Sequence, residues 1–263
     1  MRYDFREKAV ESGLAALALL SLAVLAGIVF YLFREGLPVF ASTGFLDFIF
    51  GTDWYPVGDQ PDFEIGSLIA GSLAVTFLAS LFAVPLGLMT AAYLSEVAAN
   101  TTRRIIKPFI ELLAALPSVV IGFIGMVLVA PWLQNTLGIA TGLNLFNAAL
   151  MLAFMAVPTI CSIAEDALHA VPRSLKDASL ALGATPWETL KNVTFPYALS
   201  GVGTAVMLGM SRALGETMVV LMVAGGAAIV PESIFDTIRP MPASIAARSE
   251  ERRVGKECHQ VGG

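Results

Sequence analysis

The chain has 263 residues, of which 56% are hydrophobic and 14% charged, with a formal net charge of −5. A soluble domain carries about 25% charged residues, so a mean hydropathy of +0.75 excludes an ordinary water-soluble globule and points to lipid as the solvent. Two cysteines, Cys161 and Cys258, and two histidines, His169 and His259, form neither a disulfide framework nor a metal-ligand spacing.

The expected fold class is therefore all-α, a polytopic membrane helical bundle. Residues 1–12 are mixed in charge, and the first span is predicted over 13–33. A cleaved signal would have an apolar core of roughly 7–15 residues. This run is longer and follows Asp4, Glu7 and Glu11, so it reads as an uncleaved span. Residues 34–64 read as a loop, with Phe50-Gly51-Thr52-Asp53-Trp54-Tyr55-Pro56 supplying aromatics and turn formers. A second span is predicted over 66–94, carrying Pro85, and a polar loop over 95–108, carrying Arg103, Arg104 and Lys107. The third span is predicted over 109–133 with a kink near Pro117, and the fourth over 145–163 with Pro158 inside it. Glu111, near the start of the third span, suits helix-end electrostatics better than a substrate role.

Between the fourth span and a fifth at 197–224 lies an elbow, residues 172–196. Pro172 suits a first helical turn, and Leu175, Ala178 and Leu182 fall on one face at i, i+3 and i+7. Gly183 stands where a helix end takes a left-handed residue without a Cβ. Thr185-Pro186-Trp187-Glu188 is a capping box with proline at the first helical position. The expected local structure is a helix, a glycine turn and a second helix.

Basic residues set the orientation. Arg2, Arg6, Lys8, Arg103, Arg104, Lys107, Arg173, Lys176 and Lys191 share one side, against Arg34 and Arg239 opposite, before the tail. Nine against two predicts a cytoplasmic N-terminus and a cytoplasmic elbow. The chain lacks a phosphate-cradling G-x-x-x-x-G-K-[ST] loop, because Gly255-Lys256 is followed by Glu257 and has no earlier glycine. No catalytic centre, cofactor, metal site or nucleic-acid partner is expected, and any ATP would be hydrolysed by another chain.

The fifth span contains Arg212 and Glu216, spaced i, i+4, so that they can pair along one helix face. Arg212 lies about 15 residues past Tyr197, roughly 23 Å along a helix, and such deep charges face a partner or water. One reading is a salt bridge that makes two charges tolerable in lipid. The other is an anion path, in which the arginine fork donates to two oxygens of an oxyanion while Glu216 holds or gates it.

The elbow resembles the cytoplasmic EAA loop of ABC-importer permeases. That pattern is Glu-Ala-Ala, three residues, Gly, nine residues, an aliphatic, one residue, a large apolar residue and Pro. Asp177-Ala178-Ser179, Gly183, Val193, Phe195 and Pro196 fill it without a gap, with Asp for Glu and Ser for Ala. The Arg212-Ala213-Leu214-Gly215-Glu216-Thr217-Met218 run resembles, more narrowly, phosphate-specific importer permeases of the PstC type. Glu111-Leu112-Leu113-Ala114-Ala115-Leu116-Pro117-Ser118 and the outer-loop run at 50–56 share that likeness, which extends from about residue 5 to about residue 247. The resemblance implies a MetI-like type I importer transmembrane domain in the bacterial inner membrane. It implies as partners a PstA-type permease, two cytoplasmic ATPase subunits and an extracytoplasmic phosphate-binding protein, with phosphate as substrate. It also implies that Asp177, Ala178, Ser179, Gly183, Val193 and Pro196 couple to the ATPase, and that Arg212 and Glu216 line the substrate path. Alternatives are a permease for another oxyanion such as sulfate or molybdate, a gradient-driven transporter or channel, and a structural membrane scaffold.

By the same resemblance a sixth span is expected to be missing. Ile234 to Ala247 resembles the outer segment that precedes it, and the charge-dense stretch 248–263 is expected to be a non-native tail. The permease domain is accordingly expected over 1–247.

Overall fold

In lipid a spanning segment must satisfy its own backbone, which long apolar runs do as helices. The computed structural model describes residues 2–56 and 62–249, in two units that divide between Ile65 and Gly66. In the first unit, α1 (Arg2–Gly36) contains Val10–Gly36, whose 27 residues are long and apolar enough to cross a membrane. Two short helices follow, α2 (Val39–Ser42) and α3 (Phe45–Phe50). A two-stranded antiparallel hairpin closes the unit, β1 (Trp54–Tyr55) on β2 (Asp62–Phe63), with Trp54 opposite Phe63. The stretch expected as plain loop is thus ordered by ring contacts, Phe40 lying 5.6 Å from Phe45 and 4.9 Å from Phe48. The Glu64 carboxylate accepts the Asp53 N–H at 2.9 Å.

The second unit opens with α4 (Gly66–Ala92), which passes through Pro85 and continues as one π turn to Val97. Next come α5 (Asn100–Ala114) and α6 (Ser118–Ile124), the latter joined by a π turn, Gly125–Val129, to α7 (Ala130–Leu137). The long α8 (Leu145–His169) leads into α9 (Arg173–Ala181) and α10 (Pro186–Thr189). A π turn, Leu190–Thr194, then leads to α11 (Phe195–Tyr197), α12 (Leu199–Leu214) and α13 (Met218–Val223). Residues 241–249 are helical again. Gly66–Val97, Ser118–Leu137 and Leu145–His169 each suit a membrane span. The stretches Pro186–Tyr197 and Leu199–Leu214 suit one only as a pair bent by 74°. With α1 that makes four spans, or five with the bent pair.

Several boundaries differ from the sequence reading. The polar loop expected to run to Pro108 is helical from Asn100, and 109–114 belongs to that same helix rather than to the third span. The chain breaks at 115–117, because Pro117 disfavours helical backbone at the preceding residue, and the span starts at Ser118. The fourth helix runs on to His169. The fifth is interrupted after Leu214 rather than continuous to 224. Of the expected tail, residues 248 and 249 close the last helix, and 250–263 lie outside the described residues.

The centre of the second unit is α8, packed between α4 and α12. Ile160 is fully buried there. A Cβ added at Gly87 of α4 would sit 2.8 Å from Ile160 Cγ2, and one at Gly209 of α12 would overlap Ile160 from the other side. Ala83, Ala153 and Ala156 complete this seam of small residues. Van der Waals contact at close backbone approach is the main attraction between spans, and the two glycines permit it. At the other end of α8, Asn144 caps the helix by accepting the Asn147 N–H at 2.9 Å. Asn147 Nδ2 in turn donates to the carbonyls of Gly142 at 2.9 Å and Gly125 at 3.1 Å. The neighbouring N–H groups of Leu145 and Phe146 donate to Asp236 O at 2.9 Å and Ile234 O at 2.8 Å.

Because Ile160 fills the space opposite Gly209, Gly209→Leu is expected to cost about 1–3 kcal/mol through overpacking. Adding Ile160→Ala to it should recover part of that loss. Thermal unfolding of the detergent-solubilised protein checks both.

Candidate functional site

The elbow is built by local rules. Pro172 is the N-cap of α9, and the helix stops as Gly183 turns to a φ of 89°. No atom lies within 4 Å of a Cβ placed on Gly183, so the demand there is conformational rather than steric. Thr185 and Glu188 then form a complete capping box: Thr185 N–H donates to Glu188 Oε2 at 2.7 Å, and Glu188 N–H to Thr185 Oγ1 at 3.3 Å. Ser179 Oγ lies 2.9 Å from Thr189 Oγ1, which pins α9 to α10 across the turn. Asp177 and Ala178 are exposed, Val193 and Phe195 half-buried, and Pro196 exposed. Two large apolar side chains stand outward at the bend, Leu182 at 90% exposure and Trp187 at 69%.

Arg212 and Glu216 do not occupy one helix face. Gly215 is the C-cap of α12, and Glu216 falls in the break before α13, so the i, i+4 geometry is lost. Among the described residues no ion pair joins them. Instead Arg212 Nη2 donates to Ala114 O at 3.2 Å, a carbonyl at the end of α5, where the helix dipole is negative. That bond links the break at 115–117 to the break at 215–217. Beyond the breaks α6 and α13 stay in close contact, since a Cβ on Gly122 would meet Met222 Sδ at 2.9 Å. Two interrupted helices therefore meet where a guanidinium is anchored by one of its five donors. Arg212 is exposed and Glu216 half-buried. Non-helical backbone within a membrane protein is tolerated where it is buried in protein or lines a cavity, and half-helix ends of this kind are a common device for holding ions.

A third cluster escaped the sequence reading. Glu165, 1% exposed, lies near the C-terminal end of α8 and is held by Arg103 and by Lys107, whose Nζ is 2.6 Å from Glu165 Oε2. Lys107 also reaches Asp166 Oδ1 at 2.6 Å, and Arg103 Nη1 lies 3.2 Å from His169 Nδ1. Beside this cluster Lys176 of α9 pairs with Glu96 at 2.5 Å. Burial pulls the Lys107 ammonium down, but hydrogen bonds and charge from Asp166 and Glu165 outweigh it, and its pKa is raised. The signal was available: Arg103 and Lys107 are spaced i, i+4, and an acid pair, Glu165-Asp166, ends an apolar run. Counting Arg103 and Lys107 only as markers of orientation hid their partners.

Glu165→Gln removes the carboxylate that two cations share. Breaking a buried pair costs about 3–5 kcal/mol. The loss is expected at the lower end, because Lys107 keeps Asp166, and thermal unfolding in detergent checks it. The Lys107 pair has the opposite pH sense to an acid's. Its contribution is complete below the ordinary lysine value of 10.5 and fades only as pH rises through the raised value.

Known proteins share this architecture. The family described as "Binding-protein-dependent transport system inner membrane component" matches residues 83–241, which include both helix breaks and the elbow. A probable ABC transporter permease, YqgH of Bacillus subtilis, is 40% identical over 84% of this chain and 72% of its own length. The phosphate transport system permease PstC of Pasteurella multocida is 36% identical over 81% of this chain and 71% of its own. That of Mesorhizobium japonicum is 33% identical over 93% and 80%. Among solved structures, an inward-facing MetNI methionine ABC transporter aligns with a TM-score of 0.50 at 26% identity, over 61% of this chain and 72% of that one. A bacterial ABC transporter that imports the acidic polysaccharide alginate aligns at 0.53 and 15% identity, over 86% and 82%, and shares the fold. The chain belongs to the inner-membrane permease components of binding-protein-dependent ABC transport systems, the family that includes the PstC phosphate permeases.

Proposed function

We propose that this permease carries phosphate, as one half of the membrane part of an ATP-driven importer, and that Arg212 stands on the path. The observation that carries the reading is the Arg212 guanidinium, exposed and anchored to the Ala114 carbonyl at the junction of two helix breaks. A fixed, permanently charged planar fork in that place suits an oxyanion, and the named PstC relatives favour phosphate among oxyanions. Glu216, half-buried in the adjacent break, would temper the positive potential and keep the anion from being held too tightly. It acts beside Arg212 rather than through an ion pair with it. A PstA-type permease would complete the membrane part, and an extracytoplasmic phosphate-binding protein would deliver the anion.

The elbow supplies the drive in this reading. Its exposed Leu182 and Trp187, on a bend stiffened by the Thr185–Glu188 box, would seat in a cytoplasmic ATPase, with two such subunits in the complex. Asp177, Ala178, Ser179, Gly183, Val193 and Pro196 form the frame of that bend. The nine-to-two basic asymmetry supports a cytoplasmic N-terminus and elbow.

Reconstitution with the partner subunits in proteoliposomes tests the substrate. Radiolabelled phosphate should accumulate only with ATP, and Arg212→Gln should abolish uptake while the complex still assembles. Uptake of sulfate or molybdate in place of phosphate, or full phosphate transport by Arg212→Gln, would overturn the assignment. Gly183→Val tests the elbow: a β-branched residue at positive φ is strained by about 1–3 kcal/mol. ATP-driven uptake should fall about tenfold or more with insertion unchanged.

A further inference from the structure

We propose that the Lys176–Glu96 ion pair is the tie through which the elbow moves the helix bundle, with buried Glu165 anchoring the receiving end. This rests on the reading of the elbow as the ATPase's docking point. The starting observation is how lightly α9 is held. None of its nine residues is buried. Its Ser179–Thr189 contact stays within the elbow. Among the described residues, Lys176 makes the only polar side-chain link from α9 to a helix outside the elbow. That link is short and sheltered, 2.5 Å long with side chains 17% and 19% exposed.

Glu96 is well placed to receive a push. It sits in the π turn that continues α4, and its Oε1 also accepts Ser95 Oγ at 3.1 Å, which fixes the carboxylate. From that turn the chain passes directly into α5, whose Arg103 and Lys107 clamp Glu165 and Asp166 of α8. The end of α8 then leads through Val171, buried, back into α9. The contacts close a ring: α9 to α4 by one ion pair, α4 to α5 by the chain, α5 to α8 by the clamp, and α8 to α9 by the chain. With the ring closed, a displaced α9 must drag the ends of α4 and α8 together. With Lys176–Glu96 opened, α9 hangs from its two backbone connections and can pivot without them.

A merely stabilising role for this sheltered pair predicts a lower melting temperature in the single variants with transport per ATP unchanged. A tie predicts a loss of coupling. The experiment uses the assembled importer in proteoliposomes and reads phosphate transported per ATP hydrolysed, alongside ATPase retention on the purified complex. Lys176→Met and Glu96→Gln should each keep the ATPase bound yet lower that ratio about tenfold, a usual size for a coupling factor. The reversed pair, Lys176→Glu with Glu96→Lys, should restore more than half of it. Single variants with the unaltered ratio would overturn the tie, as would a reversed pair no better than the singles. Loss of the bound ATPase from the single variants would make the pair part of the docking surface and overturn it too. Failure of the unaltered chain to hold an ATPase would overturn the docking reading itself, which is a distinct result.

Discussion

Everything in the second unit depends on how closely α8 is approached from two sides. Apolar side chains gain nothing by leaving lipid for one another, so spans cohere only through contact at short range. Ile160 supplies that contact because Gly87 and Gly209 present bare backbone to it, and alanines continue the seam. Most of the polar groups that the helix buries are placed near its ends, Thr159 Oγ1 in its middle being an exception. Asn144 and Asn147 are fully buried at one end and Glu165 at the other, each supplied with partners. The middle of α8 is therefore mainly a packing surface, and its ends carry the connections.

That division explains where irregular backbone is found. The helices around α8 are interrupted at 115–117 and at 215–217, and three π turns continue or join them. Helix interruptions in apolar surroundings are costly unless something takes up the freed groups. Here Arg212 takes up one, the carbonyl of Ala114. The same side chain thus closes a helix end and brings a positive charge to the place where two helices fail to continue.

The sequence disclosed what short-range rules govern. The elbow was legible because a proline near a helix start, a glycine turn and a capping box each act within four or five residues, and its pattern needed no knowledge of neighbours. The ends of the fifth helix were not. Hydropathy carries a run straight through Gly215, whereas the backbone ends α12 there, so the spacing of Arg212 and Glu216 implied a pairing that the chain does not make. The clamp on Glu165 was hidden for another reason. Its partners lie 58 and 62 residues away, and periodicity cannot see across such a distance. The aromatic order in the stretch after α1 was hidden likewise, because ring contacts rather than propensity set it.

One feature of the N-terminal end of α8 limits how the bundle can rearrange. The Leu145 and Phe146 amides, which no helix can satisfy for itself, are taken by the carbonyls of Asp236 and Ile234. Ile238 is locked in turn to the 224–226 turn, where Gly225 and Gly226 have φ values of 87° and 82°. Peeling this segment from α8 would strand two amides among buried groups, at a cost of several kcal/mol for each. The segment and α8 must therefore travel as one rigid lever, and any opening on that side has to swing around the pair.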